Sequence, residues 1–378
     1  MSIKTLSKKM LAIVVAGAMT MGLAMSTSVF ATDEGTTTKV TKAYISKTFN
    51  TEVGKAEAFS FKAEQVGGNT ENVTIPDIRF SDTETGTTTK RAEVSFPTNW
   101  PDAGKYEYTV TETEATPAIT DTKHQTMIMS KAEYTMDVYV SNGDNGLEIS
   151  NIIVNKKKDD KGTTATGKVD ISNTDKNGFN FTNTYVQEAG TGTDPVNPGP
   201  DYTKYGSLDV SKIIKTDAAD TADTNKEFDF TATFTFPAGT NAATLGAKAT
   251  IDGIATDITG TSHTFKLKHN QNVKFTGLPV GTKISVTESG TPNYKGSADV
   301  VINNGTKETK TATRYGEALT VSDKSLGQNK NTVDVTNTYN YVPATGIIMN
   351  TLPYVLMIAL CGAALMAFVA FKRRRLQK

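Results

Sequence analysis

The sequence of 378 residues contains one β-rich unit twice, and this duplication constrains its fold more than any other feature. In each copy, short segments that alternate β-branched or aromatic residues with polar ones are separated by turns rich in Gly, Asn and Thr. Such alternation is typical of strands that bury one face. The pattern therefore predicts an all-β chain with two tandem, Ig-like domains, each an antiparallel β-sandwich.

Four features recur in the same order in the two copies. They are a strand that ends in a lysine (Lys42; Lys212), an aromatic strand (from Phe59; from Phe228), a strand that ends in Val-Thr-Glu (Glu112; Glu288) and a closing strand that ends in Thr-Asn-Thr-Tyr (Tyr185; Tyr339). Between the copies, residues 187–203 are rich in Gly and Pro, which predicts a fairly stiff linker. The expected domains are therefore residues 32–186 and 204–341.

Both ends of the chain carry targeting signals. Residues 1–31 begin with lysines, continue through an apolar stretch and end in Val-Phe-Ala, a pattern that predicts a secretory signal peptide. Near the other end, residues 352–371 form a nearly uncharged run followed by Lys372 and three arginines. A run of this length predicts a transmembrane helix with its basic tail in the cytoplasm.

Composition excludes several classes of function. The 40 Lys and Arg residues balance the 40 Asp and Glu residues, so no charged face favours nucleic acid as a partner. The single cysteine, Cys361, lies in the apolar run, and the three histidines are scattered, so we expect no disulfide, no metal site and no cofactor. Nucleophile elbows, zinc-protease helices and phosphate loops are absent from the sequence, so we do not expect an enzyme.

A lysine, a glutamate and an asparagine in each copy extend rows of apolar residues that are predicted to face the core, because residues two apart in a strand share a face. They are Lys42, Glu112 and Asn183 in the first copy and Lys212, Glu288 and Asn337 in the second. Burial drives lysine towards its neutral amine and glutamate towards its protonated acid. A neutral amine can attack a neighbouring carboxamide while the acid polarises the carbonyl and moves protons. The products are ammonia and an isopeptide bond, and the alternative is a buried Lys–Glu ion pair.

At these residues the two copies resemble the intramolecular isopeptide domains of Gram-positive pilus backbone subunits, the streptococcal-type pilin isopeptide linkage family. The similarity covers nearly all of residues 36–340, and Leu278–Gly281, which leads into the second Val-Thr-Glu, adds to it. The resemblance implies two bonds, one joining Lys42 to Asn183 with Glu112 as catalyst and one joining Lys212 to Asn337 with Glu288. In the first copy, Lys39 and Lys47 offer alternative registers.

The pentapeptide Val342-Pro343-Ala344-Thr345-Gly346 resembles the LPxTG sorting signal of Gram-positive wall-linked proteins, with Val in place of Leu. The resemblance implies that residues 342–378 are a sorting signal and that a pilus or housekeeping sortase cleaves between Thr345 and Gly346. Thr345 would then be joined to an amine on the next subunit or on peptidoglycan, so the chain would meet the membrane only before sorting. The alternative is a simple single-pass membrane anchor.

Lys176 resembles the polymerising lysine of related pilins, because it lies in a Gly- and Asn-rich turn just before the closing strand of the first copy. Lys168 and Lys156–Lys158 compete with it for this role. The sequence thus predicts a major pilin of a cell-surface pilus, linked to other copies of itself through Lys176 and Thr345. The alternative is a wall-anchored adhesin or minor pilin that attaches once and binds a host surface ligand.

Overall fold

A computed structural model of the protein describes residues 39–113, 119, 121–216, 222–340 and 352–375. The predicted signal peptide, residues 1–31, and the sorting pentapeptide from Val342 to Gly346 lie outside these residues. Within them, the chain is built from β-strands, and three helices interrupt or follow them. The predicted all-β sandwich class is confirmed.

The first sandwich contains three sheets. Its strands are β1 (Tyr44–Thr51), β2 (Glu57–Phe59), β3 (Phe61–Val66), β4 (Ile78–Phe80), β5 (Gly86–Glu93), β6 (Gly104–Glu112), β7 (Gln125–Ile128), β8 (Glu133–Gly143), β9 (Gly146–Lys158), β10 (Thr164–Lys168) and β11 (Asn180–Gln187). The orders are β5-β1-β11-β7 and β10-β9-β8-β6-β3, with a small β2-β4 pair. The first and last strands of the sandwich are thus neighbours in one sheet.

The second sandwich repeats this arrangement with two sheets. After helix α1 (Pro200–Tyr205), its elements are β12 (Leu208–Thr216), β13 (Phe228–Thr235), α2 (Ala242–Leu245), β14 (Lys248–Ile251), β15 (Ile254–Asp257), β16 (Ser262–Leu267), β17 (Asn272–Thr276), β18 (Lys283–Glu288), β19 (Tyr294–Val301), β20 (Glu308–Thr311), β21 (Leu319–Ser325) and β22 (Thr332–Tyr339). The orders are β15-β14-β17-β12-β22-β19-β20 and β16-β13-β18-β21. Again the first and last strands, β12 and β22, lie side by side.

These two central pairings are parallel, in contrast to the antiparallel pairing expected from the sequence. Strand β1 runs parallel to β11, and β12 runs parallel to β22. A hairpin would force antiparallel pairing, whereas here nearly the whole sandwich connects the two strands, so their relative direction is set by the topology of the sheets. The chain therefore runs in the same direction along the first strand and the last strand of each sandwich.

Aromatic residues fill the cores between the sheets. In the first sandwich, Phe49 and Phe59 are fully buried and their ring centroids lie 5.1 Å apart in an edge-to-face contact. In the second, Phe228 and Phe230 are equally buried. Burying one such side chain stabilises a fold by about 2–3 kcal/mol, so these rings give each sandwich a rigid interior next to the polar residues described below.

The structure corrects the predicted register of the first strand. Strand β1 begins at Tyr44, so Lys42 precedes it, and the Lys42 side chain is 66% exposed and pairs with Glu93 at 2.9 Å. The residues of β1 that face the core are odd-numbered, with Ile45, Lys47 and Phe49 all buried. Since adjacent residues in a strand face opposite ways, an even-numbered lysine cannot belong to this row.

A helix, α3 (Leu352–Arg375), forms where the sequence predicts one. Within the described part of the chain, no helix combines the length and the hydropathy needed to cross a bilayer. The segment predicted as a fairly stiff linker contains one short helix, α1, which begins at Pro200, a residue type suited to the first turn of a helix.

Candidate functional site

The second sandwich brings its three predicted residues together in the core. Lys212 lies on β12, Glu288 on β18 and Asn337 on β22, and all three side chains are buried. The Lys212 Nζ donates to Glu288 Oε1 at 2.6 Å, and the Asn337 Nδ2 donates to the same oxygen at 2.8 Å. The carboxyl group therefore bridges an amine and a carboxamide that belong to the first and last strands.

The first sandwich contains the same cluster, with Lys47 in the position that the sequence assigned to Lys42. The Lys47 Nζ donates to Glu112 Oε2 at 2.8 Å, and the Asn183 Nδ2 donates to Glu112 Oε1 at 2.7 Å. The side chain of Lys47 is 0% exposed and that of Glu112 is 2% exposed. Lys47 was one of the two alternative registers. The alternation of Ile45, Lys47 and Phe49 was the signal that could have selected it.

The two clusters share one strand register. Lys47 is the partner of Phe181 in the parallel ladder, and Lys212 is the partner of Val335. In each case the asparagine stands two residues further along the last strand, so it lies on the same face of the sheet as the lysine. The glutamate belongs to the facing sheet, where it is the last residue of β6 or of β18. The two sandwiches thus share the geometry of the cluster as well as its residue types.

Aromatic rings enclose both lysines. The Lys47 Nζ lies 4.1 Å from the ring centroid of Phe59, and the Lys212 Nζ lies 4.2 Å from that of Phe228. These two phenylalanines stand at matching positions of the repeated aromatic strand. The rings keep water away from the amines, and their faces interact favourably with an ammonium group when one forms.

Burial shifts the pKa values of both buried pairs towards the neutral forms. It lowers the pKa of Lys47 and of Lys212 to about 8, although the neighbouring carboxyl group opposes this shift. Burial also raises the pKa of Glu112 and of Glu288 above the usual range of a glutamate, against the effect of the lysines. Both shifts lower the cost of moving a proton from lysine to glutamate, a transfer that leaves a nucleophilic amine beside a carboxamide.

Lys176, the predicted polymerising lysine, lies apart from these clusters. It is exposed in the turn between β10 and β11, next to Asp175, whose carboxylate accepts from Arg91 Nη2 at 2.7 Å. The turn is therefore anchored to the sandwich while the amine of Lys176 faces solvent. Its predicted partner, Thr345, lies outside the described residues.

Comparisons with known families assign the two sandwiches separately. Residues 39–186 match the FctA family model, described as a Spy0128-like isopeptide containing domain. Residues 206–339 match a domain family of unknown function, DUF7601. None of the curated proteins compared with the chain matches it.

Among solved structures, the chain is similar to streptococcal pilins at low identity. The major pilin protein T3.2 from Streptococcus pyogenes is 20% identical, with a TM-score of 0.32, and the match covers 80% of this chain and 99% of that one. Another major pilin from Streptococcus pyogenes is 19% identical, with a TM-score of 0.34 and coverage of 80% and 100%. For the first sandwich, the family model agrees with the resemblance recognised in the sequence to isopeptide-containing domains.

Proposed function

We propose that this protein is the shaft subunit of a sortase-assembled pilus and that each sandwich forms one Lys–Asn isopeptide bond on itself. The observation that carries the proposal is the pair of buried Lys–Glu–Asn clusters, which stand in the same register between the first and last strands. With the corrected register, the bonds join Lys47 to Asn183 and Lys212 to Asn337.

Each bond would form by transfer of the asparagine acyl group to the lysine amine. The lysine first gives one proton to the glutamate, and its neutral nitrogen then attacks the carboxamide carbon. The new C–N bond forms and the old C–N bond breaks, while the glutamate takes a proton from the attacking nitrogen and gives one to the leaving nitrogen. The products are a secondary amide and ammonia. Since each cluster reacts once and is consumed, the protein is a self-crosslinking substrate and not an enzyme.

The location of the bonds suits a fibre under tension. Each would join a first strand to a last strand, so a pulling force would pass from one terminus of the sandwich to the other without separating the strands between them. Reductants do not cleave an amide, so the crosslinks would persist outside the cell, where this chain has no disulfide to strengthen it.

Polymerisation is tested by immunoblotting wall digests of the producing cells after boiling in denaturant. We expect a ladder of high-mass species in the wild type and its loss in Lys176→Ala, because Lys176 would supply the amine that receives Thr345. Lys168→Ala is the matched control, since it removes another exposed lysine nearby, and it should keep the ladder.

The other outcomes of this blot discriminate between functions. A ladder that persists in Lys176→Ala would support a pilus and reject Lys176 as the joining residue. A single band in every strain would contradict the shaft subunit and favour a wall-anchored adhesin or minor pilin that attaches once.

In a variant that cannot form the second bond, the buried lysine should make the free energy of unfolding depend on pH. In Asn337→Ala, Lys212 keeps its free amine, whose pKa is about 8 when folded and 10.5 when unfolded. Between these values the unfolded chain binds more protons, so the free energy of unfolding should rise with pH. In the wild type the same nitrogen would be an amide and would not titrate. Urea titrations from pH 8 to 10.5 measure this difference, and equal slopes for the two proteins would contradict the bond.

A further inference from the structure

The two clusters differ at the carbonyl oxygen of the asparagine. In the first sandwich, the Ser130 N–H donates to Asn183 Oδ1 at 2.7 Å. A main-chain N–H can only donate, so this contact determines which end of the carboxamide is oxygen. The opposite end, Nδ2, therefore faces Glu112 Oε1. The amide is held with its carbonyl on a hydrogen-bond donor and its leaving nitrogen on the carboxyl group.

The end of strand β7 makes this contact available. Strand β7 pairs with β11 as far as Ile128, opposite Thr184, and then leaves the ladder just before it would face Asn183. The N–H of Ser130 is thereby free to turn to the asparagine side chain. The Ser130 hydroxyl donates to Asp160 Oδ1 at 2.5 Å, and the same oxygen accepts the Thr182 N–H at 2.8 Å. Asp160 thus ties Ser130 to the residue that precedes Asn183.

The second sandwich has a different neighbour at this point. Strand β19 pairs with β22 in unbroken register past Asn337, which stands opposite Gly296. The carbonyl oxygen Asn337 Oδ1 is buried, and no group in the described residues forms a hydrogen bond with it. A Cβ atom at Gly296 would lie 3.2 Å from this oxygen, so the glycine leaves room beside it.

The carboxyl groups are also used differently. Glu112 binds the amine through Oε2 and the carboxamide through Oε1, so one oxygen can take a proton while the other gives one. Glu288 binds both groups through Oε1. Among the described residues, no group donates to the carbonyl oxygen of the second cluster. In this arrangement the negative charge that develops on that oxygen during attack is therefore not stabilised by a hydrogen bond.

We propose that the two sandwiches stabilise the tetrahedral intermediate of crosslinking by different groups. In the first, the main-chain N–H of Ser130 is the oxyanion donor. In the second, the Asn337 carboxamide turns about its Cβ–Cγ bond and the protonated carboxyl of Glu288 donates to Oδ1. This inference rests on the proposed isopeptide chemistry and adds to it a second catalytic group, which the described residues supply in the first sandwich.

The steps balance in both clusters. In the first, Lys47 Nζ adds to Asn183 Cγ and the negative charge on Oδ1 is held by Ser130 N–H, which keeps its proton. Glu112 takes one proton from Nζ at Oε2 and gives one to Nδ2 from Oε1, and ammonia leaves. In the second, Lys212 Nζ adds to Asn337 Cγ while the Glu288 proton moves to Oδ1, and the Glu288 carboxylate then takes one proton from Nζ. Glu288 gives that proton to Nδ2, the Cγ–Nδ2 bond breaks as Oδ1 returns its proton to Glu288, and ammonia leaves.

Refolding kinetics test this assignment. Residues 32–341 are purified in denaturant before any crosslink has formed, which their full sequence mass verifies. The protein is then diluted into buffer so that it refolds, and samples are quenched over time. Peptide mapping by mass spectrometry then follows each crosslink separately. We expect Ser130→Pro, which removes the N–H, to slow the Lys47–Asn183 bond about 100-fold, the usual effect of deleting one oxyanion donor. The Lys212–Asn337 bond in the same molecule should form at the wild-type rate.

Ser130→Ala is the matched variant, because it keeps the N–H and removes only the hydroxyl. It should slow the first bond far less than Ser130→Pro does. If proline prevents the first sandwich from folding, replacement of the residue 130 amide by an ester removes the same N–H with one atom exchanged, and the same loss of rate is expected.

The outcomes separate this inference from the proposed function. Loss of ammonia at the wild-type rate in the folded ester or proline variant would overturn the role of Ser130 while leaving the crosslinks in place. Retention of the full sequence mass by the refolded wild type would instead overturn the isopeptide chemistry itself.

Discussion

Residues 32–341, produced without the predicted signal peptide and sorting signal, are expected to weigh less than their sequence by two molecules of ammonia, one for each crosslink. Lys47→Ala and Glu112→Gln should each lose only one ammonia, because the first variant lacks the nucleophile of the first bond and the second lacks its proton relay. Lys42→Ala should still lose two molecules of ammonia, as the wild type does, since Lys42 is exposed and pairs with Glu93. Intact-mass spectrometry of the denatured proteins measures all four masses directly.

This comparison separates two registers of one strand. Loss of one ammonia in Lys42→Ala relative to its sequence would mean that Lys42 forms the bond and that the register of β1 differs from the structure. Two losses in Lys47→Ala would also reject Lys47 as the nucleophile. The full sequence mass in the wild type would leave both clusters as buried ion pairs and would remove the basis for a self-crosslinked shaft.

The second large effect is on the stability of the second sandwich. Asn337→Ala is expected to lower its free energy of unfolding by about 5 kcal/mol, because the bond closes a loop of well over one hundred residues and restricts the unfolded chain. The Lys212–Glu288 pair, at 2.6 Å, remains in this variant. The difference from wild type therefore measures mainly the crosslink. This difference in the free energy of unfolding is measured by calorimetry, or by urea unfolding monitored through near-UV absorption.

Glu288→Gln provides the comparison. It also prevents the bond, but it leaves the buried Lys212 without an opposite charge, and breaking a buried pair in this way costs about 3 kcal/mol or more. The expected order of stability is wild type, then Asn337→Ala, then Glu288→Gln. Asn337→Ala unfolding at the wild-type midpoint would show that no covalent bond joins β12 to β22.

Local alternation was enough to predict the residues of the second cluster. Lys212, Glu288 and Asn337 each continue a two-residue apolar row within their own strands, and the core position of such a row follows from strand geometry alone. The same rule placed Glu112 and Asn183 correctly in the core. It failed for Lys42, because the short segment before β1 carries its own alternation, one residue out of phase with the strand that follows.

By itself, the sequence determined the β-sandwich class and the three residue types that meet in each core, because both depend on periodicity within single strands. Only the tertiary structure decided that Lys47 faces Glu112, that the first and last strands pair in parallel, and that the Ser130 N–H meets Asn183. Each of these depends on where one strand ends relative to another that is distant in the chain. No local pattern encodes that relation, since it is set when the sheets pack against each other.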